Sequence, residues 1–288
     1  MIPSNVHLIP ADTANWKLLI EAQNQGFSDY STVPFHPTAC QLQELLEAWD
    51  VDLSGSVLAL AEEERPVGIG WLGVRKARGW IGGFAVISEW QGQGVDQAIL
   101  NWLIRAAQQR HLNFVTLEVS EENRPAISLY QASGFHVQRK LLSWKRSPEM
   151  GTLPVPPMKV ERVNPQILVS YLNAWHFEPP CWQQEPRSLQ ARLKTCAGWV
   201  IACAGEPVAY ALTSVHGQQL EIIDIGAAPD PEALLVLRAL LQSLQLLHMD
   251  CTLTLNNIPA NDPLNRVLAA LGFQVILRLY EMRLDLSL

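Results

Sequence analysis

A chain of 288 residues, 48% of them apolar and 17% charged, is long enough for two domains and rich enough for a sizeable core. Its net charge of −7, with no clusters of Lys and Arg, excludes a nucleic-acid partner, because phosphate contacts need such clusters. Five scattered cysteines without Cys-x-x-Cys spacing, no basic-then-apolar leader, and an apolar stretch at 233–247 interrupted by Arg238, Gln242 and Gln245 predict a soluble cytoplasmic protein with reduced thiols and no membrane span.

In chain order, residues 6–9 read as a short strand, and Asp12 or Thr13 as the cap of a helix carrying Trp16, Leu18, Leu19 and Ala22. A loop at 25–37 holds Phe27, Tyr30, Phe35 and His36, and an amphipathic helix follows at 40–49. Residues 56–61 and 66–74 form a hairpin around the charged turn 62–65. The next strand, 80–86, contains Gly82 and Gly83, which mark a bulge or a close backbone approach. The pattern then breaks into a glycine-bearing turn at 89–94. From Val95 it resumes as a helix with Ala98, Ile99, Trp102, Leu103 and Ala106 on one face. A strand at 114–119, a helix from about Asn123 and the pair Gly134-Phe135 complete this half. Pro148, Pro154, Pro156 and Pro157, with Gly151 among them, predict a linker over 148–157 between a domain at 1–147 and another at 158–288.

The second half repeats the first. The segments Val57-Leu58-Ala59-Leu60-Ala61 and Arg65-Pro66-Val67 reappear at an offset of 141 as the stretch containing Ile201-Ala202-Cys203 and as Glu206-Pro207-Val208, and Ala85-Val86-Ile87 falls on Gly226-Ala227-Ala228. Beyond the glycine turn the spacing becomes 138: Asn123-x-Pro125 falls on Asn261-x-Pro263, and Gly134-Phe135 on Gly272-Phe273. The shift has one location, where Trp90–Gly94 is replaced by Pro231-Glu232. The second copy also has Asn256 for Glu118 and Leu268 for Tyr130, so it keeps fold signals and loses polar ones.

A strand-to-helix turn with Gly92 and Gly94 presents unpaired backbone N–H groups at the positive end of a helix, which is an anion-binding geometry. The residues around it, Gln91-Gly92-Gln93-Gly94-Val95, Leu117-Glu118-Val119, Asn123, Ala126, Leu129-Tyr130 and Gly134-Phe135, resemble the GNAT-type N-acetyltransferases. The resemblance implies an α/β fold (an α+β mixed sheet) in two tandem GNAT-like domains, the second degenerate. It implies acetyl-CoA as co-substrate, held by the backbone of Ala85, Val86 and Ile87, by the turn Gln91, Gly92, Gln93, Gly94, Val95 and Asp96, and by Asn123 and Tyr130. Where the family has Gly or Ala, this chain has Asp96. A first-turn carboxylate gains roughly 0.3–1 kcal/mol from the helix dipole. About 5 Å from a phosphate charge, at an effective dielectric near 20, it costs roughly 3 kcal/mol. The side chain is therefore expected to face solvent; otherwise it weakens CoA binding.

Acetyl transfer to an amine needs a neutral nucleophile, a stabilised oxyanion and a proton for the departing thiolate. Many relatives place a carboxylate early on the strand that here reads Trp80-Ile81-Gly82-Gly83, which offers none. The resemblance points instead to Glu118 as base and Tyr130 as acid, with the Val86 N–H near the oxyanion. Glu121, Glu122 or a water chain compete for the base role, and Asn123 has an N-cap role open beside its pantetheine role. Arg124 or Lys140 could meet the adenosine phosphate. Phe27 and Tyr30 are the candidate acceptor-binding residues, with packing under a helix pair as the other reading. Trp175, His176, Cys181 and Trp182 either line a groove between domains or pack in a core. No His–Cys–carboxylate cluster has metal spacing, so no metal is expected. The expected activity is acetyl transfer to a small-molecule amine or a peptide N-terminus. The alternatives are an acyl-CoA sensor or scaffold and a pure interaction protein, and the second copy is left to packing, acceptor-site or homodimer contacts.

Overall fold

The computed structural model describes residues 2–27, 37–151, 153–154, 158–172 and 174–286. They form two compact units, Met1–Gln138 with Glu281–Leu288, and Arg139–Tyr280. The first contains β1 (His7–Pro10), α1 (Trp16–Gly26), α2 (Ala39–Ala48), β2 (Val57–Leu60), β3 (Pro66–Arg75), β4 (Arg78–Val86), α3 (Val95–Gln109), β5 (Phe114–Ser120) and α4 (Arg124–Ala132). The second contains β6 (His136–Arg146) from Arg139 on, β7 (Val160–Val163), α5 (Pro186–Arg192), β8 (Ala197–Cys203), β9 (Glu206–His216), β10 (Gln219–Ala227), α6 (Ala233–Leu247), β11 (Thr252–Pro259), α7 (Leu264–Ala270) and β12 (Gln274–Asp285) up to Tyr280.

In the first unit the strands run β1-β2-β3-β4-β5, and the end of β12 lies beside β5. Pairing is antiparallel from β1 to β4 and parallel between β4 and β5. Helix α1 starts one turn later than the sequence suggested. Asn15 caps it, its side chain accepting from Leu18 N at 3.0 Å, while Asp12 and Thr13 lie in a separate 3₁₀ turn. Leu19 and Ala22 of α1 and Leu42 and Leu46 of α2 pack on Leu58, Leu60, Ile69 and Trp71 of the sheet. The predicted apolar stripe of α3 is buried at Val95, Ile99, Leu103 and Ala106; each such large side chain contributes roughly 1.5–3 kcal/mol.

The second unit has the order β6-β11-β10-β9-β8-β7, again with one parallel pair, β10 with β11. The repeat extends to individual hydrogen bonds. Ile87 N donates to Val67 O at 3.0 Å and Ala228 N to Val208 O at 2.9 Å; Phe135 N donates to Tyr130 O and Phe273 N to Leu268 O, both at 3.0 Å. Among the described residues no helix is long and apolar enough to cross a membrane.

The division point corrects the expected boundaries. It falls between Gln138 and Arg139, and the last eight residues, Glu281–Leu288, belong to the first unit. The closing strand of each repeat therefore counts with the other repeat: β6 pairs with β11, Leu253 opposite Arg146 and Pro259 opposite Leu141. Two described residues of the proline-rich stretch, Gly151 and Leu153, are hydrogen-bonded within the second unit. Arg146 donates to Leu271 O at 2.9 Å and Gly151 O at 2.6 Å, and Leu153 N donates to Gln245 Oε1 at 3.1 Å. Prolines interrupt a helical or strand pattern equally in a solvated linker and in a hydrogen-bonded segment, so composition does not separate the two. A chain cut after residue 147 should lack the strand beside β5 and expose that edge. Size-exclusion chromatography should find the fragment aggregated under conditions where the full chain elutes as a defined species.

Candidate active site

The cleft of the first unit begins where a ladder ends. Residues 78–81 of β4 pair with 114–117 of β5, and pairing then stops although both strands continue. The cause is a bulge. Between the pairs Ile69↔Ala85 and Trp71↔Gly82, two residues of β4, Gly83 and Phe84, face the single Gly70 of β3. Gly83 has φ +53°, and a Cβ there would lie 2.1 Å from the Trp71 ring, so both conformation and space demand glycine. The extra residue bends β4 and opens a wedge against β5. Because Ile87 N–H donates to β3, the alternation of an extended strand turns the Val86 N–H into that wedge.

At the head of the wedge, Gly94 is the left-handed N-cap of α3 (φ 87°), and Gly92 has φ 69° with nothing within 4 Å of where a Cβ would be. Open space at Gly92 and the first-turn N–H groups of α3 lie side by side. Gln91 Nε2 donates to Val86 O at 2.9 Å, tying the turn to the strand, and Gln93 Nε2 donates to Glu89 O at 2.6 Å. Asp96 departs from expectation. It does not stand out in solvent but is half-buried and lines the cleft with Gln91 and Gly92, its Oδ1 accepting from Gln97 N at 2.8 Å. Helical side chains lean toward the N-terminus, so a residue in the first turn covers the loop that precedes it.

Of the sequence-predicted residues, Phe27, Ala85, Val86, Gln91, Gly92, Asp96, Glu118, Asn123 and Tyr130 line this one cleft of ≈ 300 Å³. Ile87, Gln93, Gly94 and Val95 stand outside its lining. Val95 is fully buried beneath α3 and Gln93 is exposed. Tyr30 lies outside the described residues. Glu118 is half-buried, its Oε2 accepting from Trp80 Nε1 at 2.8 Å. Glu121 and Glu122 do not line the cleft. Tyr130 is 5% exposed, with Phe84 and Phe135 each 5.9 Å away ring to ring. Asn123 is the N-cap of α4, accepting from Ala126 N at 3.1 Å. Arg124 is exposed in the first turn of α4, whereas Lys140 belongs to the second unit, 5.2 Å from the Tyr280 ring. Sequence reasoning missed Trp80. The available signal was Gly82, two residues along the same face, which leaves room for an indole.

The second unit repeats the wedge and fills it. Pairing of β10 with β11 stops after Glu221 and Thr254, and Ile223 is the extra residue of a matching bulge. Ala227 N, the counterpart of Val86 N, donates to Trp175 O at 3.2 Å, and Gln184 Nε2 donates to Asn256 O at 2.6 Å. Asp230 Oδ1 accepts from Glu232 N at 2.8 Å where the first copy has its glycine turn. The remaining space, ≈ 30 Å³, holds about two waters. His176 Nε2 meets Asp224 Oδ1 at 2.8 Å, and Tyr210 donates to Asp224 Oδ2 at 2.6 Å. Burial opposes charging His176, but the Asp224 carboxylate, aided by Asp262, outweighs it and raises the imidazole pKa. Burial, then Asp224, pushes the Tyr210 hydroxyl well up. Cys181 and Trp182 are buried.

Residues 17–135 match the model of the Acetyltransferase (GNAT) family. A mycothiol acetyltransferase of Thermobifida fusca is 36% identical over 61 residues, 21% of this chain and 19% of that one. N-alpha-acetyltransferase 30 of Saccharomyces cerevisiae is 30% identical over 69 residues, 24% of this chain and 39% of that one. The matches thus span well under half the length of either relative. Among solved structures, a putative acetyltransferase from Pyrococcus horikoshii is similar with TM-score 0.70 at 15% identity, over 100% of this chain and 92% of that chain. A tandem GNAT protein from the clavulanic acid biosynthesis pathway gives 0.69 at 16%, over 97% and 98%. At such identities the likeness is one of fold.

Proposed function

We propose that the chain, whose residues 17–135 match the GNAT acetyltransferase family and whose fold is similar to that of a tandem GNAT protein, moves an acetyl group from acetyl-CoA to a primary amine. The observation that carries the reading is the wedge between β4 and β5. The Val86 N–H faces into it, and Gly92, Glu118 and Tyr130 line the same cleft. Acetyl-CoA supplies an activated thioester. Its arm suits the free edge of β4, and its pyrophosphate suits the turn at Gly92 and the first turn of α3, with Asp96 the one residue opposed to it. Glu118 accepts a proton from the amine, which is mostly protonated at neutral pH. The Val86 N–H donates to the thioester oxygen as charge gathers there. Tyr130 returns a proton to the departing sulfur.

The acceptor is a small amine or a peptide N-terminus in the cytoplasm. The second repeat, with the Ala227 amide taken and the glycine turn replaced, does not turn over acyl-CoA. Calorimetry with acetyl-CoA and a thiol-release assay over an amine panel test the proposal on the full chain. Tyr130→Phe should lower kcat by about a hundredfold with little change in acetyl-CoA affinity. Binding without thiol release from any amine would support a sensor or scaffold, and absence of binding an interaction protein.

A further inference from the structure

We propose that Trp80 is the positioning residue for Glu118, its indole N–H holding the carboxylate at the place where an acceptor amine gives up its proton. The inference rests on the reading of Glu118 as base. Trp80 pairs with Thr116 in the parallel ladder, and Leu117 is the last paired residue of β5. Glu118 is therefore the first residue whose backbone that ladder no longer fixes. It lies on the same face as Thr116, two positions along. A side-chain tether takes over where the main-chain bonds stop: Trp80 Nε1 donates to Glu118 Oε2 at 2.8 Å.

The tether is itself held. Trp80 is 3% exposed, and Trp49 meets it edge to face at 5.5 Å between centroids, with an interplanar angle of 70°. The ring also lies over Gly82, where a Cβ would come within 1.9 Å of its benzo edge, so any side chain at 82 would drive the indole from its seat. Buried this far, Trp80 is not among the residues that line the cleft, and it acts through Glu118. A hydrogen bond from a neutral donor also favours the ionised carboxylate, the form a base requires. Loss of such support lets the carboxylate wander, and misplacements of about 1 Å cost up to a hundredfold in rate.

The experiment is a double-mutant cycle in the full chain, reading kcat and KM for thiol release. Trp80→Phe should lower kcat about tenfold or more, leaving KM for acetyl-CoA and calorimetric affinity unchanged. In a Glu118→Gln background the same substitution should cost nothing further. Replacing Trp80 by benzothienylalanine, which keeps the shape and removes only the N–H, should reproduce the loss and separates it from any folding defect. Wild-type kcat in either variant, or an equal loss with Gln at 118, overturns the assignment. Wild-type activity of Glu118→Gln itself would instead remove Glu118 as base, a failure of the earlier reading visible before Trp80 is touched.

Discussion

Replacing Asp96 by alanine should tighten acetyl-CoA binding by about a hundredfold. The carboxylate is half-buried and lines the cleft with Gly92, whose open side is where a phosphate would rest. Two opposing effects act at that position. The positive end of α3 stabilises a first-turn carboxylate by roughly 0.3–1 kcal/mol. A phosphate charge about 5 Å away, at an effective dielectric near 20, destabilises it by roughly 3 kcal/mol, and about 1.4 kcal/mol is tenfold in affinity. Repulsion wins by this measure, and Asp96 also takes the Gln97 N–H for itself. Calorimetry at low and high salt checks the point. The gain should shrink as salt screens the charge, and a pantetheine fragment without phosphates should bind wild type and variant alike. Equal acetyl-CoA affinity in the two proteins would mean the pyrophosphate lies elsewhere, and the cradle assignment would fall with it.

What could be read from the sequence was what local periodicity and turn chemistry record. Helix α6 spans residues 233–247 as its apolar spacing implied, and the glycine pairs at 92/94 and 134/272 sit at positive φ where turns demand it. The repeat, with its shift from 141 to 138 at the anion turn, proved to be a repeat of hydrogen bonds. Contacts between elements far apart in the chain were not legible. Nothing local to Trp80 announces Glu118, because that bond depends on the register of two parallel strands joined through α3. Nothing in residues 139–146 or 281–285 says which repeat they join, since an alternating strand satisfies either edge. The filled wedge of the second unit turns on the carbonyl of Trp175, a backbone atom that carries no sequence signature. Asp96 was legible as a departure but not in direction, because its orientation follows from where the first turn of α3 leans.

Replacing Asp224 by alanine should give the largest loss of stability, about 3–5 kcal/mol, the usual cost of removing one partner of a buried ion pair. Asp224 and His176 have side chains only 6% and 10% exposed, and Tyr210 spends its hydroxyl proton on the same carboxylate. Alanine leaves an imidazole and a phenol without their acceptor, in an interior with room for about two waters. Part of the loss depends on pH. The folded pKa of His176 lies above its unfolded value near 6.5, because Asp224 and Asp262 overcome the burial penalty. The stability carried by the charged imidazole is accordingly complete below about pH 6.5 and disappears as pH rises through the folded pKa. Chemical-denaturation midpoints of wild type and Asp224→Asn, which keeps the shape and removes the charge, should lie furthest apart at pH 5.5–6.5 and converge toward pH 8.5. A constant gap across that range would mean the imidazole is neutral throughout, leaving the Tyr210 and His176 hydrogen bonds, and no ion pair, to hold this segment in the second wedge.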